Sequence, residues 1–188
     1  ETVKYVANAF LATKLSFVNA IAAVCEAVGA DVDDVMASLG HDHRIGPDYL
    51  QPGPGWGGSC FPKDTRALLQ ISEEAGYPFR FLEGVLEVNA QQVDRVVAKV
   101  ESAAGGSLNS ANVAVWGLTF KANTDDLRES PSLAVIENLL ERGAIVRAWD
   151  PTVEASRPPI PGEVVVCAAP YVACRDADAV VVLTEWPE

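Results

Sequence analysis

The sequence predicts an α/β protein: an all-helical first part followed by a partial doubly wound, Rossmann-like parallel sheet. Three observations predict it. Apolar residues recur at helical spacing through the first half of the chain. Strands alternate with helices from Asn112 onward. Between them lies "AAGGSLNSAN", Ala103 to Asn112, rich in Gly and Ser. The expected division is a helical domain over 1–104 and a sheet domain over 111–188.

The first helix spans Thr2 to Val28, with Val3, Val6, Phe10, Leu11, Phe17, Val18, Ile21, Val24 and Val28 at helical spacing and Gly29 as terminator. Asp31 is placed to cap a short second helix that Gly40 ends. The stretch 41–61 has no period and five glycines, and loops of that length are usually functional. Pro62 suits the first turn of a third helix running to about Ala75. A fourth, Phe79 to Ala104, has Phe81, Leu82, Val85, Val88, Val93, Val96, Val97 and Val100 as its expected buried stripe. Then come a strand in "NVAVWGLTF", a helix in "SPSLAVIENLLERG" and a strand in "AIVRAWDP". A short strand in "EVVVCA", a helical turn in "PYVACRDA" and a strand in "DAVVVLTEW" follow. Three or four parallel strands leave the sheet one crossover unit short. The start without Met and the stop just after a strand are read as those of a fragment.

Composition narrows the function. The chain has 188 residues, 49% of them hydrophobic, enough for a substantial core, and a net charge of −12. That charge argues against nucleic acid or an anionic membrane as partner, because either needs a basic face. Four cysteines (Cys25, Cys60, Cys167, Cys174) form no C-x-x-C pair, and His41 and His43 are the two histidines, so no metal site is expected. Cys25, Cys167 and Cys174 read as ordinary buried residues. With no secretory signal and no apolar run of about 18 residues, a reduced, cytoplasmic setting is expected.

The stretch "GPGWGGSCFPKD", Gly53 to Asp64, allows two readings. Gly53 to Gly58 satisfies G-x-G-x-x-G, the dinucleotide fingerprint. That fingerprint needs a strand before it, and "RIGPDYLQP" is none; Pro54 also lacks the N–H that would approach phosphate. The alternative is a nucleophile. Cys60 lies just before a helix N-terminus, where unpaired N–H groups and the macrodipole favour negative charge. Gly57 and Gly58 let backbone approach a substrate, and Asp64 follows one turn later, placed to accept a proton. Residue chemistry alone leaves Cys60 either a nucleophile or a small buried hydrophobe, with Asp64 as a helix cap.

"GPGWGGSCFPKD" resembles the active-site cysteine loop of the UDP-glucose/GDP-mannose dehydrogenase family. "KYVANAFLATKLSFVNAIAAVCEAVGAD" upstream and "VWGLTFKANTDDLRESPS" downstream match the same family in the expected order, and "GAIVRAWDP" and "ADAVVVLTEW" conform. The resemblance implies NAD-dependent, four-electron oxidation of the C6 alcohol of a nucleotide sugar to a carboxylate. It implies a three-part chain of NAD-binding domain, helical middle and nucleotide-sugar-binding domain, of which this sequence resembles the second part and most of the third. The NAD-binding part is read as absent. A homodimer through the long central helix is also implied.

By this resemblance Cys60 is the nucleophile and Asp64 assists water or shuttles protons. Lys4 and Asn8 steady an oxyanion; their i, i+4 spacing puts both on one helix face. Arg44 is a substrate contact supplied across the dimer. Tyr49, Trp56, Gly57 and Phe61 line the substrate loop. Phe120 and Lys121 approach the nucleotide sugar at a strand's carboxyl end, and Arg128 reaches NAD. Lys14 and Asn19 are left structural, and His41 and His43 solvated. "SCFPKD" resembles the UDP-glucose members, so UDP-glucose is the leading substrate, with GDP-mannose or a UDP-aminosugar as alternatives. A different class of reading is a non-catalytic nucleotide-sugar-binding and dimerisation module. A thiol hydrolase would need a His beside Cys60.

Overall fold

The computed structural model describes residues 1–154 and 159–187. It divides into two compact units, Glu1–Gln92 and Val93–Glu188, so the border falls inside a helix. The elements are α1 (Thr2–Val28), α2 (Val32–Gly40), α3 (Phe61–Glu74), α4 (Arg80–Ala103), β1 (Asn112–Trp116), α5 (Pro131–Glu141), β2 (Ile145–Trp149), β3 (Val165–Val166), α6 (Pro170–Ala173) and β4 (Ala179–Val182). The α/β class read from the sequence is the observed one.

In the first unit α1 runs for 27 residues and stops at Gly29, whose φ of 73° is left-handed and costs glycine nothing. Asp31 caps α2 by accepting from the Asp33 and Asp34 N–H groups. Gly40 is helical and does not terminate α2; a Cβ there would lie 3.2 Å from Pro47 Cα, so the glycine serves close packing. The faces of α1 follow its apolar pattern only in part. Ala9, Ala12, Ser16, Val18, Asn19 and Cys25 are buried, whereas Val3 (84%), Phe10 (65%), Phe17 (55%) and Val28 (72%) are exposed. Small residues allow close approach on the inner face, and the polar ones find partners there. Phe81 likewise departs from its expected stripe: it is exposed and stacks on Phe79, with ring centroids 6.3 Å apart. Against the expectation that no segment would qualify, α1 is long and apolar enough to cross a membrane, with a mean hydropathy of 1.5 over its best window.

Among the described residues of the second unit four strands, all parallel, run in the order β3-β2-β1-β4. Val113 pairs with Val146 and Ala179, and Val115 with Ala148 and Val181. One sheet face carries Val113, Val115, Val146 and Ala148. It packs with Ile136 and Leu139 of α5 and Val97 and Val100 of α4 into a single core. Alternation along each strand puts Ile145, Val165, Val180 and Val182 on the opposite face, where they are exposed.

Gly117, just after β1, has φ 92°, and a Cβ built on it would lie 2.4 Å from the Thr184 Cβ and 2.5 Å from the Thr184 N. Gly76 has a similar φ of 75° and open space around it. Gly76→Ala should therefore lose about 1–2 kcal/mol from left-handed strain alone. Gly117→Ala should lose a further ~1–3 kcal/mol from overpacking. Urea unfolding of both variants measures the difference.

Candidate active site

Cys60 is the N-cap of α3, with Pro62 in the first turn, where its missing N–H is no loss. Its thiol is exposed, with the Ser59 hydroxyl 3.8 Å away. The loop leading to it is held by side chains of α1 and α4. Asn19 Oδ1 accepts from the Gly53 N–H at 2.8 Å, and Gln92 Nε2 donates to the Gly53 carbonyl at 3.4 Å. Asn89 Oδ1 accepts from the Trp56 N–H at 2.8 Å, and its Nδ2 donates to the Trp56 carbonyl at 3.0 Å. The Trp56 indole N–H donates to Ser16 Oγ at 2.9 Å, and that hydroxyl donates to the Val85 carbonyl at 2.9 Å. Gly55, at φ 119°, leaves the gap that Asn89 fills: a Cβ would stand 3.1 Å from Asn89 Oδ1. Lys14 donates to the Ile45 and Asp48 carbonyls at 3.0 and 2.6 Å, a structural role like that of Asn19.

These bonds decide the G-x-G-x-x-G question. The N–H groups of Gly53 and Trp56 are already spent inside the protein, and no strand precedes the loop. The loop is no pyrophosphate cradle, and NAD does not fit it.

Asp64 sits one turn beyond Cys60; its N–H donates to the Cys60 carbonyl at 2.9 Å. Its side chain is fully buried. Asn8 Nδ2 donates to Oδ2 at 2.6 Å, and Lys4 Nζ lies 3.2 Å from the same oxygen. The i, i+4 pair expected on α1 thus converges on the carboxylate of α3. Lys63 Nζ lies 3.1 Å from Oδ1, yet that oxygen has no aligned hydrogen-bond donor. Burial by itself raises the Asp64 carboxyl; Lys63, Asn8 and Lys4 together outweigh it and hold the group below its ordinary 3.8. Lys63 is raised in return, chiefly by its contact with Asp64. Lys63 escaped the sequence reading, although it adjoins Asp64 in the quoted motif. Two ammoniums against one carboxylate make this spot locally positive in a chain of net charge −12.

The aromatic residues divide. Phe61 stands 6.4 Å from Tyr49 and 6.2 Å from Trp56, ring centre to ring centre. Tyr49 is exposed, with a strained φ of 61°. Trp56 is 6% exposed and belongs to the core with Ala9, Ala12, Leu82 and Val85. It anchors the loop from below, packed in the core. Gly57 lies half-buried between Trp56 and Gly58, whose φ is 81°.

Arg44 folds back on Asp42, two residues earlier, through Nε at 2.9 Å and Nη2 at 2.5 Å, and this pairing holds the Asp42 carboxyl below its usual range. Arg128 in the second unit repeats the arrangement on Asp126, at 2.9 and 2.7 Å. Phe120 and Lys121 follow β1, with Lys121 Nζ 5.6 Å from the Phe120 ring centre. His41 Nδ1 is 2.6 Å from the Ala37 carbonyl, and His43 is exposed. Among the described residues no three His, Cys, Asp or Glu side chains group to hold a metal. Cys25 is buried as expected; Cys167 and Cys174 are only partly so, because they sit at the ends of β3 and α6.

The fold and site define the class: a helical unit presenting an exposed cysteine beside a buried carboxylate, joined to a parallel-sheet unit. Comparison with known proteins makes it specific. The central-domain model of the UDP-glucose/GDP-mannose dehydrogenase family matches residues 1–91, and the model of its UDP binding domain matches residues 114–188. The chain belongs to that family. It is 49% identical over 189 residues to the UDP-glucose 6-dehydrogenase TuaD of Bacillus subtilis (strain 168), covering 100% of itself and 41% of that protein. A UDP-glucose dehydrogenase structure from Pyrobaculum islandicum superposes with a TM-score of 0.93 at 39% identity, over 98% of this chain and 43% of that one. A UDP-D-ManNAc dehydrogenase from Pyrococcus horikoshii gives 0.82 at 26% identity, over 100% and 42%. The chain thus spans about two fifths of the length of these relatives.

Asn8→Ala strips a donor from the buried Asp64 carboxylate and should lower stability by about 1–3 kcal/mol, read from denaturant unfolding. Asp64 has a depressed folded-state pKa. Its contribution to stability is therefore complete above the unfolded value and fades as pH falls through the folded one. Unfolding free energies measured from neutral pH into acid should fall less steeply in Asp64→Asn than in the wild type.

Proposed function

We propose that a protein carrying this chain is an NAD-dependent UDP-glucose 6-dehydrogenase, oxidising the C6 alcohol of the nucleotide sugar to the carboxylate. The carrying observation is the exposed Cys60 at a helix N-terminus, one turn from a buried carboxylate that two lysines and an asparagine hold charged. A thiolate suits this chemistry because it captures the aldehyde-level intermediate. Sγ bonds to C6 to give a thiohemiacetal, and loss of hydride converts it to a thioester. Water then adds, the thiolate leaves, and the carboxylate is released. Lys4 and Asn8 supply donors for the oxyanion of these steps, and Asp64 takes the proton from water. NAD supplies the hydride acceptor; the described residues hold no cradle for it, and in this reading Arg128 extends towards it.

The substrate reading rests on "SCFPKD" and on the names of the relatives, since the high-identity matches are UDP-glucose enzymes. In the first unit Tyr49, Phe61 and Gly57 are the candidate sugar contacts; in the second, Phe120 and Lys121 follow β1 at the carboxyl edge of the sheet, where such sheets bind nucleotides. The exposed stripe of α1, with a shallow groove lined by Val3, Val6, Ala7 and Phe10, supports a homodimer across this helix, with Arg44 reaching the partner's substrate. The inner polar residues of α1 are bonded to their own unit, which favours a protein neighbour over lipid on the outer face. A cytoplasmic location follows from the substrate.

A limiting pulse of UDP-glucose given to the full-length protein should release two NADH per sugar, and Cys60→Ala should abolish that yield. Turnover of GDP-mannose or a UDP-aminosugar instead would keep the mechanism and replace the substrate. An unimpaired Cys60→Ala would make the loop structural. For assembly, Phe10→Asp with Phe17→Asp should shift the protein from dimer to monomer in sedimentation velocity.

A further inference from the structure

In the second unit one side chain ties together the segments that leave the carboxyl ends of β1, β2 and β4. Asp150, directly after β2, is 4% exposed. Its Oδ2 accepts from the Leu118 N–H at 2.8 Å, the Thr119 N–H at 3.3 Å and the Trp186 indole N–H at 3.2 Å. Its Oδ1 accepts from the Thr152 N–H at 2.9 Å and the Thr152 hydroxyl at 2.8 Å. The Thr119 hydroxyl, 3.4 Å from Oδ2, has a better acceptor in the Lys121 carbonyl at 2.9 Å. A carboxylate offers about four lone-pair sites, and five donors already crowd these.

An acidic residue after the second strand of a dinucleotide-binding sheet ordinarily accepts from a ribose hydroxyl. Here that capacity is used up inside the protein. The loop after β1 is bound into the same network: Thr184 Oγ1 donates to the Thr119 carbonyl at 2.7 Å, and Ser130 Oγ to the Leu118 carbonyl at 2.7 Å. Gly117 lets Thr184 pack against that backbone. Phe120, half-buried with its N–H on the Asp126 carbonyl, and the exposed Lys121 come next in the chain, directly after the two N–H groups on Asp150.

We propose that Asp150 is a positioning residue for Lys121. It gives up the ribose-binding role of its place in the fold and sets the backbone from which Lys121 and Phe120 meet the diphosphate and base of the nucleotide sugar. This rests on the substrate reading above. Asp150→Asn replaces one accepting oxygen with an NH2 that faces donors, releasing the loop without changing its size. In steady-state kinetics of the full-length protein, Asp150→Asn should raise the KM for UDP-glucose about tenfold or more while kcat stays within about threefold, as Lys121→Ala should. Because both act through one contact, the double variant should be no worse than Lys121→Ala alone. A wild-type KM in Asp150→Asn beside a raised one in Lys121→Ala overturns the positioning role, as do losses that multiply in the double variant. A wild-type KM in Lys121→Ala overturns the substrate reading of this loop, and the inference with it. If Asp150→Asn does not fold, Thr152→Val, which removes the hydroxyl bonded to Asp150 Oδ1 and so loosens the carboxylate that holds the loop, takes its place with the same expected and contrary outcomes.

Discussion

The buried charge of Asp64 is the constraint on which the first unit depends. A carboxylate with no exposed surface is tolerated only where donors replace the water it gave up. Here Asn8 and Lys4 come from α1 and Lys63 from α3's own first turn. Satisfying the charge therefore fixes the rotation and height of α1 against α3, and Cys60 rides on the end of α3. The same contacts that settle the helix pair also set the electrostatic surroundings of the thiol.

That requirement explains why several large apolar residues of α1 face outward. Its inner side has to deliver Asn8, Ser16 and Asn19 to buried partners and let α3 and the glycine-rich loop come close, so the residues between them are small: Ala9 and Ala12. Val18, Leu15 and Ile21 still pack inward, while Val3, Phe10, Phe17 and Val28 lie outward. Trp56 belongs to the same solution. Its indole fills the space under the loop, its N–H meets Ser16, and its backbone is clasped by Asn89.

The second unit uses a carboxylate in the same way for a different end. Asp64 is surrounded by charged and amide side chains and is left with one oxygen lacking an aligned donor. Asp150 is surrounded by backbone N–H groups, hydroxyls and an indole and has no capacity left, as a purely positioning group requires. The D-x-R pairs at Asp42–Arg44 and Asp126–Arg128 show a third use, in which a loop carboxylate orients a guanidinium close to it in sequence.

The sequence by itself determined the elements and the chemistry. Periodicity placed α1, α3, α4 and the parallel strands, since local spacing is enough to decide between helix and strand. "GPGWGGSCFPKD" placed the cysteine at a helix N-terminus, and i, i+4 spacing put Lys4 and Asn8 on one face. Tertiary structure decided which face of α1 is inner, because an outward apolar stripe and a core stripe have the same period. It sent Trp56 to the core, brought Lys63 to Asp64, and spent the Gly53 and Trp56 N–H groups on Asn19 and Asn89. It also brought the Leu118, Thr119 and Trp186 donors onto Asp150 from segments more than thirty residues away, beside the local pair from Thr152. Local patterns record what a residue can do; which partners it meets depends on contacts between distant segments, and those exist only in the folded chain.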